Sequence, residues 1–197
     1  IERYGIDQLR YYLMKEVSHG SDGNISLNNL EKCINSDLAN NYGNLCQRIF
    51  SFIKGNCENE VYTTGVFSEA EKNLISQTKN LTKNLKKDMN NLNLNNYIKS
   101  VLNICFLSNK FINDEEPWKL KKDNKDKMNN ILYLSLIQIA KISVLLNPII
   151  PDATLKVLKA LSIKDSLINF SIIESHNIFN KKIKINNLEI LFKRINK

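Results

Sequence analysis

Between residues 38 and 53 the apolar positions fall at Leu38, Tyr42, Leu45, Ile49, Phe52 and Ile53, the spacing of a helix with one buried stripe. Asn40, Asn44 and Arg48 follow one another at i, i+4 and i+8 and form a polar row along the flank of that stripe. A purely structural helix has no need of amides and a guanidinium ranked at the edge of its buried face. A helix that shows this rim to a nucleic acid does.

The same periodicity organises the rest of the chain. Ile6 to Val17 predicts a helix, and Ser18 to Asn24 is a loop of turn formers. Ser26 is placed to cap a helix running unbroken from Leu27 to Ile53, with Ile25 as its hydrophobic staple and Lys54-Gly55-Asn56 as its stop. Gly43 inside that helix marks a close approach. Cys57 to Phe67 predicts a loop. Ser68 and Glu71 make a capping box that opens a helix ending near Lys87. A turn over 90–96 leads to a helix from Tyr97 to Ile112 with Ile98, Val101, Leu102, Cys105, Phe106 and Leu107 inward. Pro117 pushes Glu116 out of helical geometry and aims Trp118. Met128 to Leu146 carries so few charges that it predicts the central helix of the core. Asn147-Pro148-Ile149-Ile150-Pro151 breaks it, and Pro151 opens a helix over Asp152 to Leu161. Beyond that the chain reads as short extended or irregular segments at 171–173, 182–185 and 189–192. Seven or so helices with short joins specify an all-α bundle.

Composition changes the picture in three ways. At 197 residues with 43% apolar side chains, the chain can bury a core of its own. A net charge of +8 and a pI near 9.2 lean toward a polyanionic partner. The thirty asparagines, beside abundant Ile and Lys, reflect A/T-rich codon usage, which dilutes the weight of any one of them, Asn40 and Asn44 included. Cys33, Cys46, Cys57 and Cys105 show no CxxC spacing, which argues against a zinc site; Cys33 and Cys46 read as small buried hydrophobes. With no signal peptide and no apolar run suited to a bilayer, a reducing, cytoplasmic setting is expected. The chain opens on Ile1 in the middle of a pattern, as a fragment would.

Catalytic chemistry is missing from the pattern. There is no glycine-rich phosphate loop, no GxSxG and no HExxH. His19 beside Asp22 suggests a catalytic pair, but no nucleophile or ligand set accompanies it, and His176 is remote. The expectation is therefore no catalytic and no metal-binding residue on this chain. The lone Trp118 has two readings, a core plug or a stacking platform, and the usual burial of tryptophan favours the plug.

Several stretches together resemble the methionyl-tRNA synthetase family. Tyr4-Gly5-Ile6-Asp7-Gln8-Leu9-Arg10-Tyr11-Tyr12-Leu13 is similar to the segment that follows the second ATP-binding signature of class I aminoacyl-tRNA synthetases. Residues Asn35 to Arg48 resemble the anticodon-domain helix of the methionyl enzyme, and Glu116-Pro117-Trp118-Lys119 its anticodon-loop motif. Leu145 to Pro151 resembles its helix break, and Leu191 to Ile195 its terminal peptide, which packs back toward the catalytic core. Residues 57–67 and 163–184 match nothing in that pattern.

The resemblance implies a helical bundle of the class I anticodon-binding type. It implies residues 1–25 as the end of the stem-contact region, 26–162 as the anticodon-binding bundle, and 163–197 as the returning segment. It implies that Asn44 and Arg48 read the anticodon and that Trp118, set by Pro117, stacks on one of its bases; Asn40 extends the row by one turn. The partners implied are tRNA(Met) and a catalytic domain upstream, with no membrane, no DNA and a monomeric enzyme. No cofactor belongs to this segment; ATP with magnesium, and zinc, would sit in the catalytic half. Rival readings are the anticodon domain of another class I synthetase (leucyl, isoleucyl, valyl or cysteinyl), a non-enzymatic helical RNA or protein interaction module, and a free-standing enzyme. Burial of the Trp118 ring on the side away from Arg48 would end the anticodon reading.

Overall fold

The computed structural model describes residues 2–17, 20, 22–23, 25–175 and 178–195, so the His19–Asp22 pairing and His176 lie outside the described residues. The described chain is an all-α bundle with one small two-stranded antiparallel sheet. Helix α1 spans Ile6–Glu16 and α2 Leu27–Cys33. The chain continues without a break through a π-helical segment, Ile34–Gly43, into α3, Asn44–Asn56. After strand β1, Glu60–Tyr62, come α4 (Glu69–Thr82), α5 (Leu85–Asn90) and α6 (Leu94–Glu115). Then follow α7 (Lys125–Leu146), α8 (Pro151–Ala160), the short α9 (Ser171–Glu174) and strand β2 (Lys182–Lys184).

Helix α7 is the axis. Every residue from Met128 to Leu146 is buried, polar ones included, because α6, α8, α3 and β1 close around it. By length and composition this helix could cross a bilayer, at a mean hydropathy of 1.4 over 18 residues, yet that whole window is enclosed by the rest of the fold. Its polar residues find partners inside: Ser143 meets the hydroxyl of Tyr42 at 2.7 Å, Gln138 accepts from Thr78 at 3.1 Å, and Lys141 donates to the Ile173 carbonyl at 2.9 Å. Unpaired, each would cost about 1–3 kcal/mol.

The break after α7 is held from α1. Arg10 donates through Nε to the Ile149 carbonyl at 2.9 Å and through Nη2 to that of Pro148 at 2.8 Å. Asp7, one turn earlier, accepts the Ala153 amide at 2.8 Å and so caps α8 in place of a local residue. Pro151 occupies the first turn of α8, where its missing N–H is no loss.

Other local signals behave as the sequence predicts. Ser68 and Glu71 form a reciprocal capping box, and Ser26 caps α2. Cys33, Cys46 and Cys105 are buried free thiols; burial pushes Cys33 up to about 11 and the other two well up, so all three stay protonated and unreactive.

Several expectations fail for identifiable reasons. Ile25 is 66% exposed and staples nothing. Gly55 lies inside α3, and the chain turns instead at Glu58 and Asn59, both with positive φ. The helix expected to reach Lys87 ends at Thr82, and α5 resumes at Leu85. Residues 171–174 form a helical turn, not an extended one. The expected loop 57–67 contains β1, which pairs antiparallel with β2, Val61 opposite Ile183. Phe106 points outward at 59% exposure. Of these, the β1–β2 pairing is set by a partner far away in the chain.

Candidate nucleic-acid interface

The π segment explains the unusual demand on Gly43. Wider i→i+5 turns bring the Leu38 carbonyl to where a Cβ on Gly43 would stand, at 2.8 Å, with Phe192 at 3.4 Å on the other side. The terminal peptide seats here. Phe192 is buried with its ring 6.5 Å from that of Tyr42, while Asn35 exchanges two hydrogen bonds with the Ile195 backbone at 2.8 and 3.0 Å. The long helix is thus pinned on one side by the end of the chain and on the other by α6.

Along the α6 side the expected polar row is present, but with a shift. Asn44 donates through Nδ2 to Asn109 Oδ1 at 3.4 Å. The Asn109 amide in turn donates to the Asn41 side chain at 3.1 Å and backbone at 3.2 Å, and Asn41 reaches the Leu102 carbonyl at 3.3 Å. Asn40, expected to continue the row, is exposed, and Asn41 makes the interhelical bonds. The π turns advance the backbone by more residues per turn than an α-helix, so the row read at i, i+4 slips across Gly43.

One turn beyond Asn44, Arg48 donates through Nη2 to Asn113 Oδ1 at 2.8 Å, and its guanidinium carbon lies 5.6 Å from the centre of the Trp118 ring. A cation over an exposed aromatic face contributes about 0.5–1 kcal/mol. A guanidinium has five N–H donors, so the bond to Asn113 leaves others to present.

The tryptophan is held by its backbone, not by burial. Helix α6 ends at Glu115 and is capped by Glu116, which takes a left-handed conformation with φ 43 and ψ 58, so Pro117 does not continue the helix. Pro117 is buried and starts a single 3-10 turn over Pro117–Lys119. Ion pairs Lys119–Glu116 at 2.8 Å and Lys127–Glu115 at 2.9 Å brace this corner. Trp118 is 41% exposed. Trp118 is therefore no core plug, and it stands on the same side of the bundle as Arg48.

The structure brings Arg48, Trp118 and, through Asn109, Asn44 to one edge. It supports Trp118 on Pro117 and leaves Asn40 standing in solvent. Asn41, Asn109 and Asn113 belong to the same edge and were not picked out from the sequence. Asn109 and Asn113 repeat on α6 the i, i+4 spacing of Asn44 and Arg48, a signal too faint to notice among thirty asparagines.

A family profile described as "Anticodon binding domain of methionyl tRNA ligase" matches residues 61–197, and one described as "tRNA synthetases class I (M)" matches residues 1–50. The chain belongs to the methionyl-tRNA ligase anticodon-binding family. Among relatives, the methionine–tRNA ligase of Brucella suis is 36% identical over 163 residues, covering 83% of this chain and 32% of its own. That of Rickettsia conorii is 37% identical over 167 residues, covering 83% and 33%. The chain thus spans about one third of the length of the curated relatives it matches.

The apo methionyl-tRNA synthetase of Mycobacterium tuberculosis superposes with a TM-score of 0.91 at 24% identity over 100% of this chain and 40% of that one, which shows the same fold. The same synthetase in complex with methionyl-adenylate gives 0.90 at 25%, over 98% and 38%. The profile of the anticodon-binding family runs through residues 163–184 and most of 57–67, the stretches that the sequence pattern left unmatched. The β1–β2 pair, which joins them, falls within that region from Val61 onward.

Proposed function

We propose that this chain is the part of a methionine–tRNA ligase that recognises the CAU anticodon of tRNA(Met), while a catalytic domain outside it attaches methionine using ATP with magnesium. Trp118, set by Pro117, offers the stacking face; Arg48 and Asn44 supply donors and acceptors to base edges; Asn40 is the outermost contact. In this division residues 1–25 lead from the catalytic side, 26–162 form the reading bundle, and 163–197 return toward the catalytic domain. A zinc site, if the enzyme has one, belongs to that domain. The enzyme acts as a monomer in the cytoplasm, on tRNA and not on DNA; four free thiols suit a reducing compartment.

The Arg48–Trp118 pair carries this proposal. Unpaired bases of an anticodon loop can be splayed out, stacked on an aromatic ring and hydrogen-bonded on their free edges. A half-open indole beside a guanidinium provides both functions within one 5.6 Å contact. Base–aromatic stacking supplies roughly 1–3 kcal/mol per base.

Trp118 is the only tryptophan, so its fluorescence reports directly on the site. Titration with an RNA stem-loop carrying CAU should change that fluorescence, and should do so at roughly tenfold lower concentration than a loop with an altered anticodon. Equal affinity for the two loops defeats the proposal.

A further inference from the structure

Helix α6 and the π–α3 helix run side by side in the same direction. The Leu102 carbonyl accepts from Asn41, Asn109 bonds Asn41 and Asn44, and Asn113 takes Arg48, so contacts advance along both helices together. Asn44 thus stands opposite Asn109, and Arg48 opposite Asn113. One turn back along α6 from Asn109 are residues 105 and 106, on the stretch whose Leu102 carbonyl takes Asn41. Cys105 is buried; Phe106 is the outward member, 59% exposed. On a helical wheel Phe106 lies about 20° from Asn113, and it sits about 10 Å before it along the axis.

The amide-rich edge therefore has an exposed aromatic ring at each end, Trp118 at one and Phe106 at the other. The residues at i−3 and i+4 from Phe106 on α6, Asn103 and Lys110, are exposed, Lys110 paired with Asp114 at 2.6 Å. An amide and a cation beside an exposed ring suit a nucleobase, which needs a face to stack on and partners for its polar edges.

We infer that Phe106 is a second stacking platform of the same interface, taking an unpaired base of the loop other than the one on Trp118. This inference rests on the anticodon-binding proposal and extends it to a position with no assigned role.

Isothermal titration of the chain with the CAU stem-loop at fixed salt tests it. Phe106→Ala should bind about 5- to 100-fold more weakly. Phe106→Tyr should restore most of the loss, and the salt dependence should be unchanged because no phosphate contact is removed. The thermal midpoint should stay at that of the parent, since the ring packs little. Replacing the nucleotides of the loop one at a time by abasic residues should identify one whose loss costs the parent affinity but costs Phe106→Ala nothing further. Unchanged affinity of Phe106→Ala, in a parent that still prefers CAU, overturns the second platform and leaves the anticodon proposal standing. A parent with no preference for CAU overturns the anticodon proposal itself. Loss of affinity matched by an equal loss in Phe106→Tyr, or by a lowered thermal midpoint, assigns the ring a structural role and likewise overturns the inference.

Discussion

Arg48 lies against Trp118, its guanidinium carbon 5.6 Å from the ring centre, and the two come from elements 70 positions apart in the chain. One is carried on the last α-helical stretch of a long helix, the other on a corner built from a left-handed Glu116 and a buried Pro117. The groups read as recognition elements touch before any ligand arrives, so the site is pre-organised and little ordering has to be supplied on binding.

A double-mutant cycle measures that contact. Trp118→Ala and Arg48→Ala should each cost under about 1 kcal/mol in urea unfolding, with a coupling of about 0.5–1 kcal/mol between them. Binding to the cognate stem-loop should fall far more, by roughly 1–3 kcal/mol for Trp118→Ala. Loss of helical circular dichroism in Trp118→Ala would mean that the ring supports the bundle.

Gly43→Ala tests the π segment. The new methyl would press on the Leu38 carbonyl at 2.8 Å and on Phe192 at 3.4 Å, although alanine is ordinarily the better helix former. Destabilisation of about 1–3 kcal/mol is expected from this overpacking, read from the urea midpoint. A stabilised variant would show that the segment relaxes to regular α-helix at no cost.

Asp7 tests how α1 holds α8. Burial raises its carboxyl above the ordinary 3.8, the Ala153 amide only partly offsetting this. A carboxyl raised in the folded state favours folding most below its unfolded value and loses that contribution as pH climbs through its folded value. Asp7→Asn keeps an acceptor for the Ala153 amide and cannot ionise. It should remove that decline above pH 4 and be at least as stable as the parent at pH 7. Asp7→Ala, with no acceptor, should lose about 0.5–2 kcal/mol. Identical pH–stability curves for the parent and Asp7→Asn would show that Asp7 is not the titrating group.

Lys141 gives the opposite slope. Burial lowers its ammonium below the ordinary 10.5, although the Ile173 carbonyl accepts from it at 2.9 Å. A base depressed in the folded state makes stability rise with pH, from its folded value up to its unfolded one. Lys141→Met should flatten that alkaline rise in urea midpoints. A rise of the same size in Lys141→Met would assign it to another group.

The elements that were legible in the sequence are those whose cause is local. The capping box at Ser68 and Glu71, the proline at the start of α8 and the apolar run of α7 each act within a turn or two of themselves. The pairing of β1 with β2 was not legible, because strands of three residues carry almost no pattern and their ion-paired residues Glu60 and Lys182 lie 122 positions apart. Six apolar residues of one helix, Phe106 among them, span more than one face, and neighbours on a helix point about 100° apart, so Phe106 stands 59% exposed beside the buried Cys105.

The sequence by itself determined which face of most helices is apolar and where most helices start and stop; the roles given to Asn44, Arg48 and Trp118 came from the family resemblance. Faces and ends are legible because propensity, capping and amphipathic period are properties of short segments. Only the tertiary structure decided that Trp118 is half open, that Arg48 faces it, that Asn41 and not Asn40 joins the interhelical bonds, and that Asn109 and Asn113 complete the edge. Those outcomes depend on how α6 packs beside a π-distorted helix, and packing between distant segments is fixed by the shape of the whole core, which no single window of residues contains.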